Sequence, residues 1–82
     1  MVNVSYDDKF ERAVSKIKDS SFQKQVKNLI KKIIQNSEIG KPMQFERKGT
    51  REVYVGSFRL SYALIVSENK LIFLDLYHKD KQ

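Results

Sequence analysis

Arg51-Glu52-Val53-Tyr54-Val55-Gly56-Ser57-Phe58-Arg59-Leu60-Ser61-Tyr62 is the stretch whose reading decides the fold. Its flanks are β-branched and aromatic and alternate with period 2, and Gly56-Ser57 is a two-residue turn signal. Glycine at the first turn position suits a type II′ hairpin. A two-residue turn also fixes the register: Val55 opposes Phe58, Val53 opposes Leu60 and Arg51 opposes Tyr62. Those pairs share one mostly apolar face. Tyr54 opposes Arg59 and Glu52 opposes Ser61 on the other face, which is polar with an arginine at its middle. Sheet faces of opposite polarity imply that one packs on the core and the other meets solvent, a partner or a substrate.

Outward from the hairpin, Ser67-Glu68-Asn69-Lys70 reads as a turn. Leu71 to His78 is nearly continuous apolar, as a central strand buried on both faces would be. Lys79 to Gln82 is polar and expected to fray. In the other direction, Met43, Phe45 and Arg47 alternate with Gln44, Glu46 and Lys48 as a further strand, with Gly49-Thr50 as a turn or bulge. Pro42 forbids a helix from running into this region. Before it, Phe22, Val26, Leu29, Ile30, Ile33 and Ile34 form an apolar stripe at helical spacing. Ser20 with Gln23 offers a capping box, and Asn36 to Gly40 ends the helix. Phe10, Ala13, Val14 and Ile17 mark an earlier helix, with Asp8 as N-cap and Glu11 in the capping-box position. Val2 to Tyr6 is a short strand. The expected class is therefore α+β in a single domain spanning residues 1–82. It comprises a short N-terminal strand, an antiparallel helical hairpin and a three- to four-stranded antiparallel sheet packed on it.

The chain has 82 residues, of which 40% are hydrophobic, enough for one thin core. It contains no cysteine, which removes disulfides and every Cys-based zinc site. No run approaches a membrane span, and the N-terminus has neither the basic nor the apolar segment of a secretory signal, so a soluble, cytoplasmic protein is expected. Sixteen Lys and Arg against ten Asp and Glu give a formal charge of +6, which favours nucleic acid, a ribosomal surface or an acidic protein as partner. No phosphate-binding loop or dinucleotide fingerprint is present, and neither cofactor nor metal is expected. His78, the only histidine, lacks any accompanying metal or triad motif and by itself reads as a strand-end surface residue. The lysines of the long helix, Lys24, Lys27 and Lys31, read as a solvated face.

Two readings of Arg59 stand side by side. Its guanidinium can clamp a phosphate through a two-pronged hydrogen bond beside an aromatic ring that stacks on a base. It can equally form a diagonal cross-strand ion pair with Glu52.

The run Ile39-Gly40-Lys41-Pro42-Met43, then Lys48-Gly49, then the hairpin from Arg51 to Tyr62, then His78-Lys79-Asp80, resembles the RelE/ParE toxin superfamily. Its members show a helical hairpin, a G-x-P junction, an R-E-x-x-V-G-x-Y/F-R-x-x-Y hairpin and a terminal H-R/K segment. The resemblance implies the toxin of a type II toxin–antitoxin pair, held inactive by a RelB-like antitoxin. RelE-like members cleave messenger RNA in the ribosomal A site, and ParE-like members poison DNA gyrase. The short chain and the position of Arg59 favour the RelE branch. A gyrase inhibitor, or a non-catalytic member that binds RNA or antitoxin, are the alternatives. Tyr54 stands where many relatives carry a second basic residue, and no tyrosine follows His78-Lys79 before Gln82. Catalysis then uses other groups, or is weak, or the chain is truncated.

RNA is cut when its own 2′-hydroxyl attacks the adjacent phosphate in line, which calls for a base, charge stabilisation and an acid. Arg59 is expected to stabilise charge. His78 is the natural base on its ordinary pKa, and Lys79 or Lys48 can serve if neighbouring positive charge lowers theirs. Arg59, His78 and Lys79 are thus the expected catalytic set. Lys48, Arg51, Tyr54 and Tyr77 are expected to bind RNA, with Arg51 alternatively a buried structural partner of the sheet.

Overall fold

The computed structural model describes residues 2–42 and 49–81. Seven regular elements follow in the order β1 (Asn3–Tyr6), α1 (Asp8–Ser15), α2 (Ser20–Gln35), β2 (Lys41–Pro42), β3 (Thr50–Val55), β4 (Phe58–Ile65) and β5 (Lys70–His78). The α+β class and the element order are as expected. Residues 43–48, including Lys48 and the alternation around Phe45, lie outside the described residues.

Both helices are capped by the residue before the expected cap. Asp7, in an extended conformation, accepts from the Lys9 amide at 2.9 Å, so Asp8 is already helical. Asp19 accepts from the amides of Ser21 and Phe22, so Ser20 opens α2 as a helical residue. Gln23 does not complete a capping box; its amide donates to the Ile17 carbonyl at 2.7 Å and ties α2 to the end of α1. A carboxylate upstream of each expected cap takes the orphan amides first.

The five strands form one sheet in the order β1-β5-β4-β3-β2. It is mixed rather than wholly antiparallel. β1 pairs parallel to β5, from Asn3 with Lys70 to Tyr6 with Phe73. Parallel neighbours need a long crossover, and here the helices and the other strands supply it. The β3–β4 register is the one that the two-residue turn demands, from Thr50 with Ala63 to Val55 with Phe58. Gly56 has φ +58° while Ser57 stays at negative φ. A type I′ turn needs both positive, so the turn is type II′.

The β4–β5 ladder contains one irregularity. Ser61 pairs with Asp75 but Tyr62 pairs with Phe73, so Leu74 is skipped. Leu71, Phe73 and Leu76 are buried, while Ile72, Leu74 and Tyr77 are half-buried. The expectation that β5 is buried on both faces therefore gives way to burial on one face only, because the helices cover just that face.

Phe10 of α1 and Val26 and Ile33 of α2 meet Val55, Leu60, Tyr62, Leu71, Phe73 and Leu76 in the core. Phe73 lies against the rings of Tyr6, Phe10 and Tyr62 at 5.3, 5.4 and 6.2 Å. Tyr62 also closes the α2–β2 junction. Its hydroxyl donates to the Ser37 carbonyl at 2.8 Å and accepts from the Gly40 amide at 3.0 Å. Arg51 Nη1 donates to the Gly40 carbonyl at 2.8 Å and the Glu38 carbonyl at 3.2 Å. A side chain at position 40 would bring a Cβ within 2.6 Å of the Tyr62 hydroxyl oxygen, which explains the glycine there.

Candidate functional site

The face of the sheet opposite the core carries a row of side chains set by strand register. Tyr54, Arg59 and Tyr77 stand side by side on β3, β4 and β5. Alternation puts Glu52 on the same face, one step along from Tyr54. The Arg59 guanidinium lies 5.2 Å from the centre of the Tyr54 ring, within range of a cation–π contact. Its Nη1 is 3.7 Å from Glu52 Oε1. Tyr77 donates its hydroxyl proton to Glu52 Oε2 at 2.6 Å. Burial and this carboxylate raise the Tyr77 pKa, because both disfavour the phenolate.

Arg59 is not under the helical hairpin. Its side chain is 27% exposed, against 11% for Glu52, and Tyr54 is 58% exposed. Tyr54, Gly56, Ser57, Phe58, Arg59 and Lys79 line a cavity of about 250 Å³ beside the hairpin tip. Lys79 is held there by its backbone amide, which donates to the Ser57 carbonyl at 3.0 Å, and its side chain is exposed. The structure thus brings Arg59, Tyr54, Tyr77 and Lys79 together. Arg59 pairs with Glu52, and it also fronts an open cavity beside an aromatic ring.

Two other expected site residues lie elsewhere. His78 pairs with Phe58, whose neighbour Arg59 points the opposite way. The His78 ring meets Phe58 edge-on at 5.3 Å, and Phe58 packs on Phe22 of α2 at 4.9 Å, so His78 belongs to the helix side. Its Nδ1 faces Asp80, 3.2 Å from the backbone amide and 3.6 Å from Oδ2. His78 lines a second cavity, of about 1010 Å³, with Lys9, Arg12 and Lys16 of α1. Arg51 also points to the helix side, where its Nη1 donates to the Glu38 and Gly40 carbonyls.

Glu52 is the member of the site that reading the residues one at a time overlooks. The hairpin register places it diagonal to Arg59, but its bond to Tyr77 depends on the β4–β5 register, which a four-residue turn and a skipped residue conceal. Among the described residues no group of three His, Cys, Asp or Glu side chains is arranged to hold a metal, and no helix is long and apolar enough to cross a membrane.

A helical hairpin packs on one face of a mostly antiparallel sheet, and an arginine–tyrosine row stands on the other. No protein-family model and no curated protein matches the sequence, but solved structures do. The isolated E. coli RelE toxin is similar with a TM-score of 0.82 over 100% of this chain and 88% of that one, at 12% identity. A chain of the toxin–antitoxin complex RelBE2 from Mycobacterium tuberculosis gives 0.79 over 95% and 98%, at 20% identity. YafQ from E. coli gives 0.76 over 98% and 96%, at 20% identity. The chain has the RelE-like toxin fold.

Proposed function

We propose that this chain is the toxin of a type II toxin–antitoxin pair and that it cleaves messenger RNA on the ribosome. The observation that carries the reading is Arg59, half-buried on the uncovered sheet face beside Tyr54 and fronting a cavity that Lys79 also lines. In the cleavage step the 2′-oxygen of one nucleotide attacks the adjacent phosphorus and the bond from phosphorus to the 5′-oxygen breaks. The products are a 2′,3′-cyclic phosphate and a free 5′-hydroxyl. The proton leaves the 2′-hydroxyl for a base, and the departing 5′-oxygen takes one from an acid. Arg59 stabilises the charge that builds on the non-bridging oxygens. Tyr54 offers its ring to a base. Lys79, tied by its backbone amide to Ser57 at the hairpin tip, is the group assigned to proton transfer. Tyr77 has its proton committed to Glu52 and serves to hold the site together. A site with no complete acid–base set among the described residues suits a reaction in which the ribosome itself positions the messenger.

The partner reading rests on fold and charge. Similar folds have been solved as RelB–RelE toxin–antitoxin complexes. A formal charge of +6 and an open polar sheet face match an acidic, amphipathic antitoxin segment. A soluble, cytoplasmic toxin acting on ribosome and messenger follows from the same reading. The test is to induce the chain alone and map the 5′ ends of a translated and an untranslated message by primer extension. New ends confined to the translated message, and lost with Arg59→Ala, are expected. Intact messages together with blocked DNA supercoiling would overturn the reading in favour of a gyrase poison.

A further inference from the structure

Arg59 does not face its cavity alone. Each carboxylate oxygen of Glu52 has its own partner, Oε1 the Arg59 guanidinium at 3.7 Å and Oε2 the Tyr77 hydroxyl at 2.6 Å. The carboxylate cannot turn away without giving up the short bond from Tyr77, and at 11% exposure water does little to replace that bond. Glu52 is therefore a fixed negative charge behind the guanidinium. One contact on Nη1 does not exhaust the five N–H donors of an arginine, so Arg59 can still receive a ligand from the cavity side.

The fixed carboxylate sets the charge of the site. Arg59 and Lys79 line the cavity and Glu52 stands behind Arg59, which leaves one net positive charge. A phosphodiester inside a nucleic-acid strand carries one negative charge. A phosphomonoester carries about −1.5 to −2 near neutral pH, because its second pKa is about 6. The second negative charge would sit close to a half-buried carboxylate that cannot move aside, and repulsion at this range is poorly screened by salt. We infer that Glu52 is a positioning and specificity-determining residue that tunes the Arg59 site to the monoanionic phosphodiester of a strand and rejects terminal phosphomonoesters. The inference rests on the reading of Arg59 as a phosphate clamp. It adds that the clamp distinguishes interior phosphates from chain ends and free phosphate.

The experiment titrates the whole chain at pH 8 with two probes, a dinucleoside monophosphate and a nucleoside 3′-monophosphate, and follows by NMR the Arg59 Nε–H resonance and, in every variant including Arg59→Ala, the backbone amides of Gly56, Ser57 and Lys79 that line the cavity. Wild type is expected to favour the diester. Glu52→Gln keeps an oxygen for the Tyr77 hydroxyl and removes the charge. It should tighten both ligands and improve the monoester about tenfold more than the diester, collapsing the preference. Glu52→Asp, which restores the charge, should restore the preference. The amide spectrum of each variant verifies that the fold is intact. An unchanged ratio in Glu52→Gln, with both ligands still lost in Arg59→Ala, overturns the role of Glu52 and leaves the clamp standing. Binding that survives Arg59→Ala, or the absence of any Arg59 response up to millimolar ligand, overturns the clamp and the inference with it.

Discussion

The two faces of the sheet use the same strands for opposite purposes. On the covered face Leu60, Tyr62, Phe73 and Leu76 are buried, and the Tyr62 hydroxyl is spent on backbone groups of the α2–β2 junction. On the open face Tyr54, Glu52, Arg59 and Tyr77 bond among themselves and keep an edge toward solvent. Residues that are neighbours in the chain, such as Arg59 and Leu60, belong to different machines because a strand alternates its side chains. Stability and chemistry can thus be altered almost independently, one parity at a time.

The largest effect should come from the covered face. Phe73 is fully buried and touches three aromatic rings. Phe73→Ala should cost about 3–5 kcal/mol in urea denaturation. That is comparable to the whole stability of a small domain, and a loss below ~1 kcal/mol would show that the core is not centred there. On the open face, Arg59→Ala should lower messenger cleavage by roughly 10²–10³-fold, the usual effect of removing a group that stabilises transition-state charge. It should cost about 1–3 kcal/mol in stability, less than Phe73→Ala, because Glu52 at 11% exposure loses its cationic partner but keeps the Tyr77 hydroxyl. His78→Ala sharpens the contrast. If the faces are as separate as their registers make them, cleavage should stay within about threefold of wild type, below the ~10²-fold minimum typical of losing a general base.

A smaller effect is expected where the covered face seals the chain between helix and sheet. Tyr62→Phe leaves the Gly40 amide and the Ser37 carbonyl without their partner, at a cost of about 1–3 kcal/mol. Gly40→Ala drives a Cβ toward the same hydroxyl, and toward Tyr62 Cε1 and Arg51 Cβ at 3.0 Å each. The two changes should therefore combine to less than their sum in a double-mutant cycle, because the hydroxyl that meets the new methyl is gone. Simple additivity would mean that the clash with the ring and Arg51, rather than the hydroxyl, dominates.

How much of this is legible in the sequence depends on turn length. Gly56-Ser57 admits one register, so every β3–β4 pair can be written down before any coordinates, and with them the polarity of each face. The α2 stripe is legible for the same reason, since Val26 and Ile33 lie at its centre and are its fully buried members. The β4–β5 connection is different. Its turn contains Asn69 in the left-handed conformation, and the skipped Leu74 shifts parity within the strand. No count from the turn reveals on which face His78 falls, so it is expected beside Arg59 and is found across the sheet. The parallel partner of β1 is likewise hidden, because a four-residue strand does not name its neighbour. The helix caps miss by one residue because Asp7-Asp8 and Asp19-Ser20-Ser21 each offer several competing oxygens.

The smallest expected effect is a shared alkaline response of the two faces. Tyr62 on the covered face has a pKa raised above its ordinary 10.0, chiefly by burial, and Tyr77 on the open face is raised by burial and then by Glu52. A phenol whose folded pKa exceeds its unfolded value loses its proton first in the unfolded chain. Its contribution to stability is complete below about pH 10, the unfolded value, and disappears as the pH climbs through the higher folded value. The urea midpoint should therefore fall between pH 9 and pH 11 in wild type, measured relative to its value near neutrality. Tyr77→Phe should flatten part of that fall, and Tyr62→Phe with Tyr77→Phe more of it, whatever each does to stability at neutral pH. If Tyr77→Phe leaves the alkaline slope unchanged, its proton is not held by Glu52, and the open face loses the anchor that fixes the carboxylate beside Arg59.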